Sequence, residues 1–127
     1  MAGTIVADTL QDGAGNSTAM DNAIYGSAKA WVNFVGSSGS VNASYNVSSV
    51  TRSGSGSYIV NFTSSLSSAN YATLVTGGNG GGTGQTTGQN YQSAAPTTSS
   101  VSIYCATNGG GNSDPAYSGQ MNCVVFR

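Results

Sequence analysis

A chain of 127 residues with three Lys or Arg, four Asp, no Glu, no His and a net charge of −1 has few groups for acid–base chemistry. Lacking His, it lacks the side chain whose unperturbed pKa lies nearest neutrality, so no Ser-His-Asp or Cys-His pair can be assembled. Lys29, Arg52 and Arg127 are too few and too scattered for the basic stripe that holds nucleic acid, and no run of about 18 apolar residues is present for a membrane-crossing helix.

The four carboxylates add little. Asp8, Asp12 and Asp21 crowd one end of the chain and Asp114 stands far from them, a spacing that suggests neither a glycosidase pair nor a calcium cage. No catalytic, metal-binding or cofactor-binding residue is assigned. The length allows one domain, or one domain with an appended arm. A charge so close to zero favours self-association, which points to surface buried between copies.

In chain order, residues 4 to 10 alternate around Ile5 and Val6 and predict an extended arm, in which Thr4, Ile5, Val6 and Leu10 are the candidate anchoring side chains. The opening residues lack a basic n-region and an unbroken apolar core, so they are not expected to be a signal peptide. DGAGNSTAMDN follows, rich in turn residues, and Met20, Ala23 and Ile24 predict one short helical turn. KAWVNFV is a strand with Ala30, Val32 and Phe34 on one face and Trp31 and Asn33 on the other. SSGS turns the chain into a second strand from Val41 to Thr51. The SGSGS turn at 53 to 57 leads into SYIVNFT, where Tyr58, Val60 and Phe62 alternate, which makes a hairpin. YATLVTG, SVSIYCAT and MNCVVFR are the remaining strands. Short strands separated by Gly, Ser and Asn turns predict an all-β, antiparallel β-sandwich, jelly-roll-like, with an extended N-terminal arm.

Two Gly-rich stretches, 77 to 98 and 107 to 119, show no alternation and are expected to be loops. They are either flexible hairpin connections or an exposed rim, with Asn79, Gln85, Asn90, Tyr91, Asn112 and Tyr117 as the outward contacts for a polar ligand. Neither is a P-loop, since no GKS or GKT follows. Of the other aromatics, Trp31, Phe34, Tyr45, Tyr58, Phe62 and Tyr71 fall in or beside strands and are expected to fill a sandwich core or a subunit interface. Cys105 and Cys123 lie in the last two strands. They are read as small core thiols or, if those strands are antiparallel neighbours, as a facing pair.

Residues 27 to 75 carry KAWVNF at 29 to 34, YNVSSVT at 45 to 51, glycines at 54 and 56, YIVNFT at 58 to 63 and ANYATLV at 69 to 75. This combination resembles a segment that recurs in virion proteins of tailed bacteriophages, often near the C-terminal end of tail-fibre and other surface-fibre proteins. With variable loops allowed, the likeness extends to the closing VVFR. It implies a non-enzymatic structural protein that forms a homotrimer, is made in the host cytoplasm and resides in the virion. Only residues 1 to 26 precede the segment. The expectation is therefore a short head or tail fibre or a capsid decoration, with 1–26 as the virion-attachment arm and 27–127 as the sandwich domain. Its expected partners are itself, other phage structural proteins of capsid or tail, and a glycan of the host surface, with no nucleic acid and no membrane insertion. The alternative is a lectin-like carbohydrate-binding β-sandwich that belongs to no virion. It would line up aromatics on one exposed face.

Overall fold

The computed structural model describes residues 3, 5–77, 85–90, 94–107, 111–115 and 119–127. Eight of its strands form two four-stranded antiparallel sheets that pack face to face. The first has the order β4–β3–β10–β7, built from β3 (Ala28–Val35), β4 (Val41–Tyr45), β7 (Ala72–Gly77) and β10 (Gln120–Phe126). The second has the order β5–β6–β9–β8, built from β5 (Val47–Gly54), β6 (Ser57–Phe62), β8 (Gln85–Gln89) and β9 (Ser100–Thr107). The chain is an all-β sandwich.

Period-2 alternation builds the core. The central strands β3 and β10 of one sheet, and β6 and β9 of the other, each turn three side chains inward: Ala30, Val32 and Phe34; Met121, Cys123 and Val125; Tyr58, Val60 and Phe62; Val101, Ile103 and Cys105. Phe34 and Tyr58 meet edge to face across the sandwich, with ring centroids 5.0 Å apart. At this separation such a pair adds about 0.5–1.5 kcal/mol beyond the area it buries.

The strand expected from Val41 to Thr51 is in fact two strands in different sheets. Asn46 stands between β4 and β5 with φ of 53°, the left-handed region that Asn tolerates better than other side chains. Its Nδ2 donates to the carbonyls of Lys29 and Ser64, both at 3.1 Å, and its Oδ1 accepts from the Ser64 N–H at 2.8 Å. One amide thus satisfies three backbone groups while the chain passes from one sheet to the other.

A second difference falls in the first Gly-rich stretch, where β8 pairs antiparallel with β9 from Gln85↔Thr107 to Gln89↔Ile103. Thr87 Oγ1 donates to the Val75 carbonyl at 2.8 Å, which ties the edge of the second sheet to the edge of the first. The hairpin after β5 forms as expected. Gly56 has φ of 62°, and a Cβ there would lie 2.2 Å from the Cys105 carbonyl oxygen, so no other residue fits without movement. Cys105 and Cys123 are free, buried and in different sheets, which makes them core thiols rather than neighbours on adjacent strands. Burial pushes the Cys123 thiol up to about 12.

Ahead of the sandwich, residues 5–7 have no regular structure. The end of the segment expected as an extended arm enters β1 (Thr9–Gln11), which pairs with β2 (Ser17–Ala19) from the stretch expected to be turns, and the short helix α1 (Met20–Gly26) follows at the position expected for a helical turn. Asp12 closes the hairpin by accepting from the N–H groups of Ala14 and Asn16 and from the Asn16 side chain, each at 2.9 Å.

Candidate interaction surfaces

Alternation that points one set of side chains inward must point the other set out. On the outer face of the first sheet, Tyr45 pairs with Trp31, Trp31 with Val124, and Val124 with Leu74. The row crosses all four strands and is apolar throughout. Tyr45 is 59% exposed, Trp31 38% and Leu74 56%. The adjacent row is built of amides: Asn42 Nδ2 donates to Asn33 Oδ1 at 2.8 Å, Asn33 Nδ2 to Asn122 Oδ1 at 2.7 Å, and Asn122 Nδ2 to Thr76 Oγ1 at 3.2 Å. Neither row contains a charged side chain. Trp31 and Tyr45, expected in a core or an interface, are therefore outside the core. Phe34, Tyr58 and Phe62 lie inside it, and Tyr71 packs half-buried against Phe62 while its hydroxyl donates to the Ser100 carbonyl at 3.0 Å.

The N-terminal segment has no core of comparable size. Ile5 is 87% exposed and Val6 92%, and Leu10, Ile24 and Tyr25 are exposed as well. Ile5, Val6, Ala19, Met20 and Ile24 line an open groove of about 450 Å³ between the leading residues and α1. Of the anchoring candidates, Ile5, Val6 and Leu10 are thus presented to solvent. Thr4 lies outside the described residues.

The outer face of the second sheet is different in kind. β6 and β9 turn out Ser57, Ile59 and Asn61, and Ser100, Ser102 and Tyr104, with Ile59 paired to Ser102 and Ser57 to Tyr104. Tyr104 lies against Gly88 of β8, where a Cβ would stand 3.0 Å from the ring. Asn90 continues the Ile59–Ser102 row, its N–H donating to the Ser102 carbonyl at 2.8 Å. Asn112 is exposed and its Nδ2 donates to Ser57 Oγ at 2.9 Å. The Asn112 side chain thus reaches this face and the Asn90 backbone borders it. Gln85 has its backbone in β8, and Asn79, Tyr91 and Tyr117 lie outside the described residues.

Below this face, Asp114 joins the connection between β9 and β10 to the β5–β6 hairpin. Its Oδ1 accepts from the Tyr58 hydroxyl at 2.8 Å, the Gly56 N–H at 2.8 Å and Arg52 Nε at 3.1 Å, and Arg52 Nη2 pairs with Oδ2. Burial pushes this carboxyl up, but the Arg52 guanidinium and the two other donors outweigh it and hold the pKa below the ordinary carboxylate value. Burial, then the hydrogen bond to Asp114, raises the Tyr58 pKa well above the usual phenol value. The ion pair lies in the structural joint of the fold.

The outward positions Leu74, Val124, Ile59 and Ser102 were not singled out from the sequence. Their signal was present, since each is the alternate of a core residue on its own strand, but alternation alone does not say which outer face is apolar. No family model matches the chain, and neither a curated protein nor a solved structure is significantly similar to it.

Proposed function

We propose that this protein is a non-enzymatic structural subunit of a tailed-phage virion, a short homotrimeric fibre or decoration of head or tail. Residues 1–26 are its attachment segment and the sandwich 27–127 is the body through which copies meet. The observation that carries the assembly is the uncharged apolar row Tyr45–Trp31–Val124–Leu74. A charged partner gains nothing from such a face. A second copy offers the same apolar row and the same amides, which both donate and accept, with little repulsion at a net charge of −1. The exposed apolar side chains of the N-terminal segment support its role as the part that adds to another surface, and the resemblance of residues 27–75 supplies the virion setting.

The size of the face argues that it does not act alone. Strands about 4.8 Å apart and runs of about six residues at about 3.3 Å each give roughly 400 Å² per copy. A standard interface takes roughly 800 Å² from each partner. The remainder falls to the N-terminal segment or to a second contact in a closed ring.

Light scattering over a range of concentrations tests the assembly. The intact protein runs as a trimer, and Leu74→Asp, at an exposed position, gives folded monomer. A wild-type monomer at every concentration overturns the assembly. Mass spectrometry of purified phage particles tests the location, and absence of the chain from the particles overturns it.

A second reading, a carbohydrate-binding module outside any virion, is favoured by one observation: Trp31 and Tyr45 stand directly opposite each other on an exposed face. It predicts that saccharides quench the fluorescence of Trp31, the sole tryptophan, while the protein stays monomeric.

A further inference from the structure

On the outer face of the second sheet lies a cavity of about 360 Å³ lined by residues including Ser53, Ser57, Ile59, Asn90, Ala94 and Ser102. We infer that this cavity is a binding site for one ring of a neutral saccharide. The site stands on its own geometry and holds whether or not the protein belongs to a virion.

Ser102 is the centre of the argument. It is only 6% exposed, the one buried polar residue among the described positions, and it lines the cavity. Its hydroxyl makes no hydrogen bond to another described residue, which leaves it free to donate to and accept from a ligand in the cavity. A ligand hydroxyl satisfies it. Beside it, Ile59 is half-buried and forms an apolar patch of the kind on which the C–H face of a sugar ring rests. Around the two stand further polar groups: Ser57 Oγ, which takes one bond from Asn112 and keeps its own proton to give, and the Ser53 hydroxyl, which gives its proton to the Ser57 carbonyl at 3.3 Å and keeps lone pairs to accept, with the Asn90 amide at the edge. One apolar contact ringed by convergent hydroxyl and amide groups is what a polyhydroxylated ring matches, and the volume lies at the small end of ligand sites.

Among the described residues the lining carries no charged side chain, which defines the class further. A phosphate, a sulfate or an acidic sugar would enter with no cation to meet it, so the ligand is neutral. So small a site binds a single ring weakly, and several copies on one assembly raise the effective affinity by avidity.

Amide-resolved NMR titration of the full-length protein tests this, with glucose, galactose, mannose, N-acetylglucosamine and glucuronic acid as probes. At least one neutral sugar is expected to shift resonances centred on Ser57, Ile59, Asn90 and Ser102, with a dissociation constant in the millimolar range, and to bind more tightly than glucuronic acid. Ser102→Ala weakens that sugar about tenfold, the worth of one buried hydrogen bond. Ser53→Phe, at an exposed rim position, fills the cavity and abolishes the shifts. Ala72→Ser, at an exposed position on β7 of the opposite sheet, leaves the affinity unchanged. The inference is overturned if no neutral sugar shifts these residues, if shifts centre on Trp31 and Tyr45, if glucuronic acid binds best, or if Ser102→Ala binds like the wild type.

Discussion

The Tyr58 hydroxyl donates to Asp114 Oδ1 at 2.8 Å across 56 positions of sequence, and the same oxygen accepts from the Gly56 N–H. This junction fixes the β9–β10 connection to the β5–β6 hairpin and so positions Ser57 and Ser53 on the outer face above. Asp114→Ala leaves a buried phenol and a part-buried N–H without their acceptor. Chemical denaturation is expected to show a loss of about 2–4 kcal/mol, against about 1 kcal/mol for Tyr58→Phe, which leaves the other two donors in place.

The same carboxylate sets an acid limit. Its pKa is lowered in the folded protein, so near and below the ordinary carboxylate value of about 3.9 the unfolded chain binds more protons. The stabilisation is complete above the unfolded value and is lost as pH falls through the folded one. Urea midpoints measured from neutral pH down to about pH 2 are expected to stay level to about pH 5 and then drop. The drop is smaller in Asp114→Asn, whose midpoint is lower at neutral pH. An equal acid loss in both proteins would assign the limit to another group.

The two thiols are expected to be inert in the folded state. Both are buried and free, and Cys123 is pushed up to about 12 by burial alone. A disulfide-exchange reagent at neutral pH therefore titrates no thiol in the native protein and two after denaturation. Adding a reductant leaves the melting temperature unchanged. A fast-reacting thiol in the native protein would place one of them at the surface.

What could be read from the sequence follows from the physics of each element. Ala30, Val32 and Phe34, and Tyr58, Val60 and Phe62, occupy every second place, and that period alone fixes which face of β3 and β6 is buried. β8 escaped because TTGQ alternates nothing apolar. It is a strand because β9 pairs with it and because Thr87 bonds to Val75 across the seam. The break at Asn46 escaped because Tyr45 and Val47 continue a strand-like composition, and only the long-range bonds to Lys29 and Ser64 impose the corner. The saccharide cavity was illegible for a further reason. Ser57, Ile59 and Ser102 are ordinary strand residues, brought side by side by register rather than by any motif.

The corner at Asn46 separates two effects that are usually mixed, left-handed strain and side-chain bonding. Asn46→Gly removes the three amide bonds but suits the φ of 53°. Asn46→Ala removes the same bonds and adds the cost of holding a Cβ in the left-handed region, about 1–2 kcal/mol. Both variants are expected to be less stable than the wild type, and the alanine variant less stable than the glycine variant by about that amount. The ordering is the test, because both substitutions discard the same hydrogen bonds and differ chiefly in backbone preference. If strain dominates over bonding, glycine matches or exceeds the wild type. If the amide carries the corner, as its three bonds to the backbone on both sides indicate, glycine falls well below it, and thermal melts of the three proteins at one pH decide the order. An alanine variant as stable as the glycine variant would mean that the chain has relaxed out of the left-handed region.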